Sequence, residues 1–429
     1  MNHQRIFGDC RDSLASLEAG SVQCCITSPP YWGLRSYLPA DHPLKAREIG
    51  AEKTPEEYIA ALVDVFRGVR RALRDDGVLW LNLGDSYAND GKWGGSSGGK
   101  HAAALHGKTG IGRGKKTTGA KPKDLLLIPY RVAMALQADG WYLRASIPWV
   151  KANVMPASVT DRPTVAHESI FLLTKSARYF YDVDAVRVGH APGVLEHFER
   201  YRDHDIAAPK AAALRGSGSG HRNSSGGVGC NPAGRNRRTS DWWNESIALA
   251  IEELQAAQTG GLFHDADGAP LGLNVNTKPY PGAHFAVFPP KLAEPCVKAG
   301  TSERGCCPAC RAPWVRVVER STVAPAERHT NKPIRRLSVS DAGQGTNGTG
   351  DSTLGMVGVT RTTGFRPTCQ CPEADPVPCI ILDPFGGSGT TAQVAEKLGR
   401  DSIVCELDER CDALMDGRMG KQLSIAGAA

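Results

Sequence analysis

No apolar run in the 429-residue chain is long enough to cross a bilayer. The first ten residues, Met1 to Cys10, lack the basic start and apolar stretch of a secretory leader. A membrane-spanning or exported protein is therefore not expected. No internal repeat is evident, which sets aside solenoids and propellers. Neither sign of charge dominates: 51 Lys and Arg against 45 Asp and Glu give a net +6. Acids are missing only locally. Between Asp90 and Asp124 the chain carries Lys92, Lys100, Lys108, Arg113, Lys115, Lys116, Lys121 and Lys123 with no Asp or Glu. Such a stretch suits a polyanionic partner, and equally a solvated surface loop.

Cysteine is not scarce, with thirteen in the chain. At this length an apolar core suffices without disulfides. Without a leader the expected setting is reducing, where clustered cysteines are metal ligands or buried thiols rather than bridges. Cys307-Pro308-Ala309-Cys310 and Cys369-Gln370-Cys371 each offer two thiolates from a tight turn, enough for one tetrahedral zinc. Four thiolates leave no open coordination position, so such a site would be structural. The second pair has only one intervening residue, and a Gly/Ser-rich excursion from about Thr322 to Arg366 must loop out between the pairs. Cys306 is a substitute ligand. Cys10, Cys24, Cys25, Cys379 and Cys405 lie in or beside strand candidates and read as small buried hydrophobes.

Apolar spacing predicts alternating strands and helices. Strands are expected at Arg5 to Phe7, Val22 to Ile26, Val78 to Leu83, Tyr142 to Val150, Ser169 to Thr174, Cys379 to Leu382 and Ser402 to Cys405. Helices are expected from Arg11 to Leu17, from Thr54-Pro55 to a stop at Asp76-Gly77, from Leu125 to Leu136, from Lys291 to Lys298 and from Ala392 to Leu398. Ala88 to Thr118 is rich in Gly, Ser and Lys and predicts a mobile loop. Residues 190 to 240 turn to Gly, Ser, Asn and Arg, followed by Trp242-Trp243 and a helix candidate from Glu245 to Ala257. This region reads as an insertion.

Two motifs carry chemistry. Asp383-Pro384-Phe385-Gly386-Gly387-Ser388-Gly389-Thr390-Thr391 sits where a strand hands over to a helix, and its glycines let a ligand touch backbone. It has no P-loop lysine, so nucleotide triphosphate hydrolysis is rejected. Gly387 to Ala392 fits the dinucleotide fingerprint, with Glu406 placed to bind a ribose; a nicotinamide cofactor and another adenosine-containing one both remain open at this point.

The second motif, Thr27-Ser28-Pro29-Pro30-Tyr31-Trp32, follows a buried strand. A nucleobase amine has its lone pair delocalised into the ring and needs acceptors that orient its N–H bonds before it attacks carbon. The Ser28 hydroxyl and the Pro29 carbonyl offer two acceptors, the prolines stiffen the segment, and Tyr31 offers a stacking face for an extruded base. No cysteine follows a proline here, so covalent attack on cytosine C6 is not supported.

Taken together, these two motifs resemble those of S-adenosylmethionine-dependent amino-DNA methyltransferases, and their order resembles the permuted beta class. The resemblance implies an α/β, Rossmann-like seven-stranded methyltransferase sheet, circularly permuted, with DNA-recognition and zinc-ribbon-like insertions. It places Asp9, Thr27, His284, Phe285, Phe288, Pro289, Glu406 and the residues from Asp383 to Thr391 at the cofactor. It places Ser28, Pro29, Pro30 and Tyr31 at the reaction. Trp149, Lys151, Asn153, Asp161, Arg162 and Glu168 resemble the later cleft motif of that class.

Trp32, Lys115, Lys116, Lys151, Asn153, Arg162, Arg237 and Arg238 are expected to meet double-stranded DNA. Cys307, Cys310, Cys369 and Cys371 are expected to hold a structural zinc. Asp or Asn before Pro-Pro-Tyr is typical of adenine N6 enzymes, whereas Ser resembles the cytosine N4 enzymes, so Ser28 favours cytosine.

The expected organisation is a catalytic half over 1–189, a target-recognition insertion over 190–275, a cofactor half over 276–304 and 376–429, and a zinc-ribbon-like insertion over 305–375. Expected partners are double-stranded DNA and a cognate restriction endonuclease, with no membrane, in a monomer or homodimer. The expected location is the cytoplasm of a bacterium, with a bacterial or bacteriophage gene. The rival readings are a nicotinamide-dependent oxidoreductase, which leaves Ser28 to Trp32 unused, and a non-catalytic DNA-binding zinc protein.

Overall fold

The computed structural model describes residues 1–33, 36–88, 119–151, 161–187, 289–323 and 357–419. Seven strands form one sheet: β1 (His3–Phe7), β2 (Val22–Thr27), β3 (Leu73–Leu83), β4 (Tyr142–Val150), β5 (His167–Thr174), β8 (Ile380–Asp383) and β9 (Asp401–Glu406). Their spatial order is β1-β9-β8-β2-β3-β5-β4. From β1 to β3 all neighbours are parallel, and β5 runs antiparallel to both β3 and β4. This is the permuted, seven-stranded Rossmann-like sheet expected from the sequence.

Alternate residues of each central strand face two helical layers, as a period of two requires. Cys25, Leu79, Leu81 and Phe171 pack with Leu14 of α1 (Cys10–Ser16), Leu62 and Phe66 of α2 (Pro55–Ala72) and Val132 of α3 (Ile128–Ala138). Cys24, Val78, Trp80 and Ile381 face the other way, onto Leu292 and Val297 of α4 (Pro290–Gly300) and Val394 of α5 (Thr390–Lys397). Met415 of α6 (Asp412–Met419) covers Val404 of β9. The cysteines at 10, 24, 25, 379 and 405 are all buried, as their strand positions imply.

Local signals explain most boundaries. Thr54 caps α2 by accepting from the Glu57 amide at 3.2 Å, with Pro55 in the first turn. The helix ends at Ala72, four residues short of the stop expected at Asp76-Gly77. Leu73 is drawn into the sheet opposite Val22, while Val78 pairs with Cys24, so Arg74 to Gly77 bulge between the two pairings. Tertiary pairing here outweighs the local turn signal. The C-terminal helix α6 carries only a weak apolar pattern and was not anticipated. Asp412 and Asp416 tie it to buried Arg5 of β1, both at 2.7 Å.

The ends of β8 and β2 position the site. From β8 the chain passes through α5 to β9, away from β2; from β2 it passes through α2 to β3, away from β8. Adjacent parallel strands whose connections leave in opposite directions open a crevice at their carboxyl ends, where α/β sheets bind ligands.

The chain divides into two compact units, and the one just described spans Met1–Val186, Arg237–Val315 and Arg366–Ala429. The second comprises Arg187–Asn236 and Arg316–Phe365. Strands β6 (Trp314–Val323) and β7 (Val357–Pro367) form a two-stranded sheet, in which Thr363 Oγ1 donates to the Val317 carbonyl and Arg316 lies 5.1 Å over the Phe365 ring. The long loop after Ala88 and the helix expected from Glu245 to Ala257 lie outside the described residues. Among the described residues no helix is long and apolar enough to cross a membrane.

Candidate active site and cysteine centre

The glycine loop is built around a buried carboxylate. Asp383, at the end of β8, accepts from Thr27 Oγ1 at 2.7 Å, Thr391 Oγ1 at 2.7 Å and the Phe385 amide at 3.0 Å. Burial raises its pKa against the pull of these three donors. The Thr27 bond joins the two motifs: the residue before Ser28 is fastened to the first residue of the glycine loop.

The glycines are sterically required. A Cβ on Gly386 would lie 1.9 Å from Val404 Cγ1, and Gly389 adopts φ +80° against Met415. The Thr390 and Thr391 hydroxyls and Ser388 are buried behind the loop. Glu406, at the end of β9, accepts from the Gly387 amide at 2.7 Å and the Asp408 amide at 3.0 Å. Burial lifts its pKa to about 7 despite these bonds. A glycine loop packed this closely on β9 and Met415, with a buried carboxylate at the neighbouring strand end, fits an adenosine-type cofactor with its ribose on Glu406.

Asp9 sits at the adjoining end of β1, where it caps α1 through the Arg11 amide at 2.8 Å. Burial alone would raise its pKa. The Arg11 hydrogen bonds, with Arg47 alongside, outweigh that and hold the carboxylate below its usual range. Pro289 is the N-cap residue of α4. His284, Phe285 and Phe288 lie outside the described residues.

The Ser28 to Tyr31 segment is gripped on several sides. Pro29 is buried, and the Pro30 carbonyl accepts from Tyr58 Oη at 2.8 Å. Tyr31 Oη donates to Glu168 Oε2 at 2.6 Å and accepts from Asn82 Nδ2 at 2.9 Å. A Cβ on Gly84 would fall 2.5 Å from the Tyr31 ring, so glycine there lets the ring approach the backbone. Burial, reinforced by Glu168, keeps the phenol protonated far above its usual range. Ser28 Oγ lies 3.4 Å from both Tyr31 Oη and Asn82 Nδ2. Glu168 also pairs with Lys151, whose ammonium lies 4.7 Å from the Trp149 ring centre.

Asn82 and Gly84 were missed in the sequence. The available signal was an apolar strand breaking into Asn82-Leu83-Gly84-Asp85, the same strand-end polarity seen at Thr27 and Asp383. Arg162 stacks 3.7 Å over the Tyr87 ring. Lys115, Lys116, Asn153, Arg237 and Arg238 lie outside the described residues. Trp32 corrects an expectation: it is fully buried, with Nε1 donating to the Glu52 carbonyl at 3.0 Å, and has no surface to offer DNA. A large ring immediately after Pro-Pro-Tyr becomes the plug that fixes the motif to the core beneath it.

The four cysteines converge away from this crevice. The sulfurs of Cys307, Cys310, Cys369 and Cys371 all lie within 4.8 Å of one another. Zn–S bonds of about 2.3 Å place tetrahedral sulfurs about 3.8 Å apart, so the set fits the ion with little adjustment. Amides of Cys310 and Ala309 aim at Cys307 and pull its pKa to about 7, whereas hydrogen bonding with Cys310 and burial push Cys371 up to about 12. Neighbouring sulfurs cannot all ionise without a cation among them.

The knuckle is anchored to the amino ends of the strands. Arg74 of β3 donates to the Cys310 carbonyl, and Gln23 of β2 donates to Arg311 O at 3.3 Å while accepting from the Ile380 amide at 2.6 Å. Cys306 lies outside the cluster, with its thiol turned to the Pro378 carbonyl.

A permuted Rossmann-like sheet with a glycine cradle and a Ser-Pro-Pro-Tyr tip on adjacent strands at its switch point defines a nucleobase-amine methyltransferase architecture. The chain belongs to the DNA methylase family N6_N4_Mtase, which matches residues 22–307 and 379–415. It is a DNA methyltransferase of the N6/N4 type. It is 37% identical over 300 residues to the type II methyltransferase M.SmaI of Serratia marcescens, covering 70% of this chain and 76% of that protein. It is also 37% identical over 302 residues to the type II methyltransferase M.Cfr9I of Citrobacter freundii, covering 70% and 74%. Among solved structures it is similar to PvuII DNA methyltransferase (cytosine-N4-specific), with 14% identity, TM-score 0.45, and 99% and 89% of the two chains covered.

Proposed function

We propose that this DNA methyltransferase moves a methyl group from S-adenosylmethionine to the exocyclic N4 of a cytosine turned out of double-stranded DNA. The observation that carries this reading is Ser28, a short neutral hydroxyl before Pro-Pro-Tyr, one residue from the Thr27–Asp383 bond to the glycine loop. Asp383 to Thr391, Glu406 and Asp9 would surround the cofactor, with His284, Phe285, Phe288 and Pro289 on the methionine side. S-adenosylmethionine, when bound, supplies an electrophilic methyl on a sulfonium.

The chain's own work is orientation. Ser28 Oγ and the Pro29 carbonyl accept the two amine hydrogens, which turns the nitrogen lone pair toward the methyl, and Tyr31 stacks on the base. Arg162 and the basic residues at 115, 116, 237 and 238 hold the phosphates. Residues 190–275 read the target sequence. Cys307, Cys310, Cys369 and Cys371 would hold a structural zinc, which would tie the Cys307 knuckle to the Cys369 turn. The protein acts in the bacterial cytoplasm, alongside a restriction endonuclease of the same specificity.

The test is transfer of tritium from labelled S-adenosylmethionine to duplex DNA, with the modified base identified after hydrolysis. N4-methylcytosine is the expected product. N6-methyladenine alone would move the assignment to adenine, and no transfer to any DNA would remove the reading.

A further inference from the structure

Tyr31 and the three residues gathered round it come from four different parts of the sheet. Tyr31 follows β2, Asn82 is the penultimate residue of β3, Glu168 is the second residue of β5, and Lys151 follows β4. The antiparallel pairing of β5 sets its first residues level with the carboxyl end of β3, and Trp149 pairs with Glu168, so all four meet at one edge.

Their hydrogen bonds have a fixed direction. The Glu168 carboxylate only accepts, so both the phenol at 2.6 Å and the Asn82 amide at 2.9 Å must donate to it. This decides the Asn82 orientation: its NH₂ faces Glu168 and Tyr31, and its Oδ1 stays buried without a partner among the described residues. A buried acceptor left unpaired is a local sacrifice that the fold tolerates in order to present the NH₂. Lys151 supplies the counter-charge on the other carboxylate oxygen.

We propose that Asn82, Glu168 and Lys151 are positioning residues that lock Tyr31 and border the Ser28 hydroxyl, fixing the catalytic motif before the base arrives. The inference rests on the amine-methylation reading above. Tyr31 is held by its hydroxyl and by close contact of its ring with Gly84, so the base meets a preset platform. Loosening that grip costs rate through misalignment of the amine, while the cofactor cradle, built on β8 and β9, is untouched.

The experiment is a double-mutant cycle on the full chain, with Tyr31→Phe, Glu168→Gln and the pair, measuring methyl transfer to DNA at saturating cofactor. Each single change is expected to lower kcat about tenfold or more, as loss of one charge-assisted hydrogen bond implies. The double variant should fall no more than about twofold below the worse single, because both changes remove the same charge-assisted bond. The KM for S-adenosylmethionine should stay within about twofold. Lys151→Arg should retain activity that Lys151→Met loses.

Losses that multiply in the double variant, or a raised cofactor KM with unchanged kcat, would overturn the positioning role while leaving the function standing. A wild-type protein that methylates no DNA removes both. Tyr31→Phe preserves the ring and its packing, so it still reads the phenol's hydrogen bond if Glu168→Gln fails to fold.

Discussion

Cofactor affinity should depend on pH through Glu406. In the ligand-free protein burial holds this carboxyl near pKa 7, whereas its ordinary value is 4.5. Ribose hydroxyls donate best to the ionised form, so the competent fraction is the deprotonated one. With a pKa near 7, that fraction is about one eleventh at pH 6 and about ten elevenths at pH 8, which predicts roughly tenfold weaker binding at pH 6. Folding runs the opposite way. A carboxyl raised in the folded state contributes stability that is complete below pH 4.5 and is lost as pH rises through 7, by at most about 3 kcal/mol.

Glu406→Gln should therefore bind S-adenosylmethionine more weakly and stabilise the ligand-free protein at pH 8. It should also remove the protein's share of the pH dependence; whatever dependence remains belongs to the ligand's own amine. Calorimetric titration at pH 6, 7 and 8, with denaturant melts of the ligand-free protein, reads both quantities. Equal slopes of affinity against pH in wild type and Glu406→Gln would refute the reasoning.

Three further outcomes follow from the geometry. Gly386→Ala drives a methyl to within 1.9 Å of Val404 Cγ1 and should destabilise the fold by about 1–3 kcal/mol in urea titration while abolishing cofactor binding. Trp32→Ala should cost about 3–5 kcal/mol of stability, as emptying a core site does, with DNA affinity per folded molecule unchanged; a lost affinity at full stability would restore Trp32 to the DNA surface. Purified protein should carry one zinc per chain by elemental analysis, and its removal by a chelator should lower the melting temperature without altering the product base.

Much of the candidate site's geometry was legible because strand ends announce themselves. Runs such as Val22 to Ile26 and Cys379 to Leu382 are apolar on both faces, as central parallel strands must be, and each breaks into polar residues where the chain leaves the sheet. Thr27 and Asp383 were readable that way, but not the hydrogen bond between them, because no local pattern states that β8 lies beside β2. Asn82 and Gly84 went unread for a related reason. Their role is defined by Tyr31 and Glu168, which lie 51 and 86 residues from Asn82.

Trp32 was misread because an aromatic next to a catalytic tip has the same letter whether it points to substrate or to core. The early end of α2 has a tertiary origin, the pairing of Leu73 with Val22. The cysteine pairs, by contrast, were legible from spacing alone, since each pair closes within one turn, and the structure brings all four sulfurs together.

The Ser28 motif is proposed to direct a methyl to cytosine N4. The most direct test is a duplex whose cytosines carry ¹⁵N at the exocyclic amine, methylated by the purified protein, hydrolysed to nucleosides and separated against standards before mass analysis. Wild type is expected to give N4-methyldeoxycytidine with the methyl on the labelled nitrogen, and Ser28→Ala little product. Methyl groups found only on adenine, or a Ser28→Ala variant as active as wild type, would contradict the proposal.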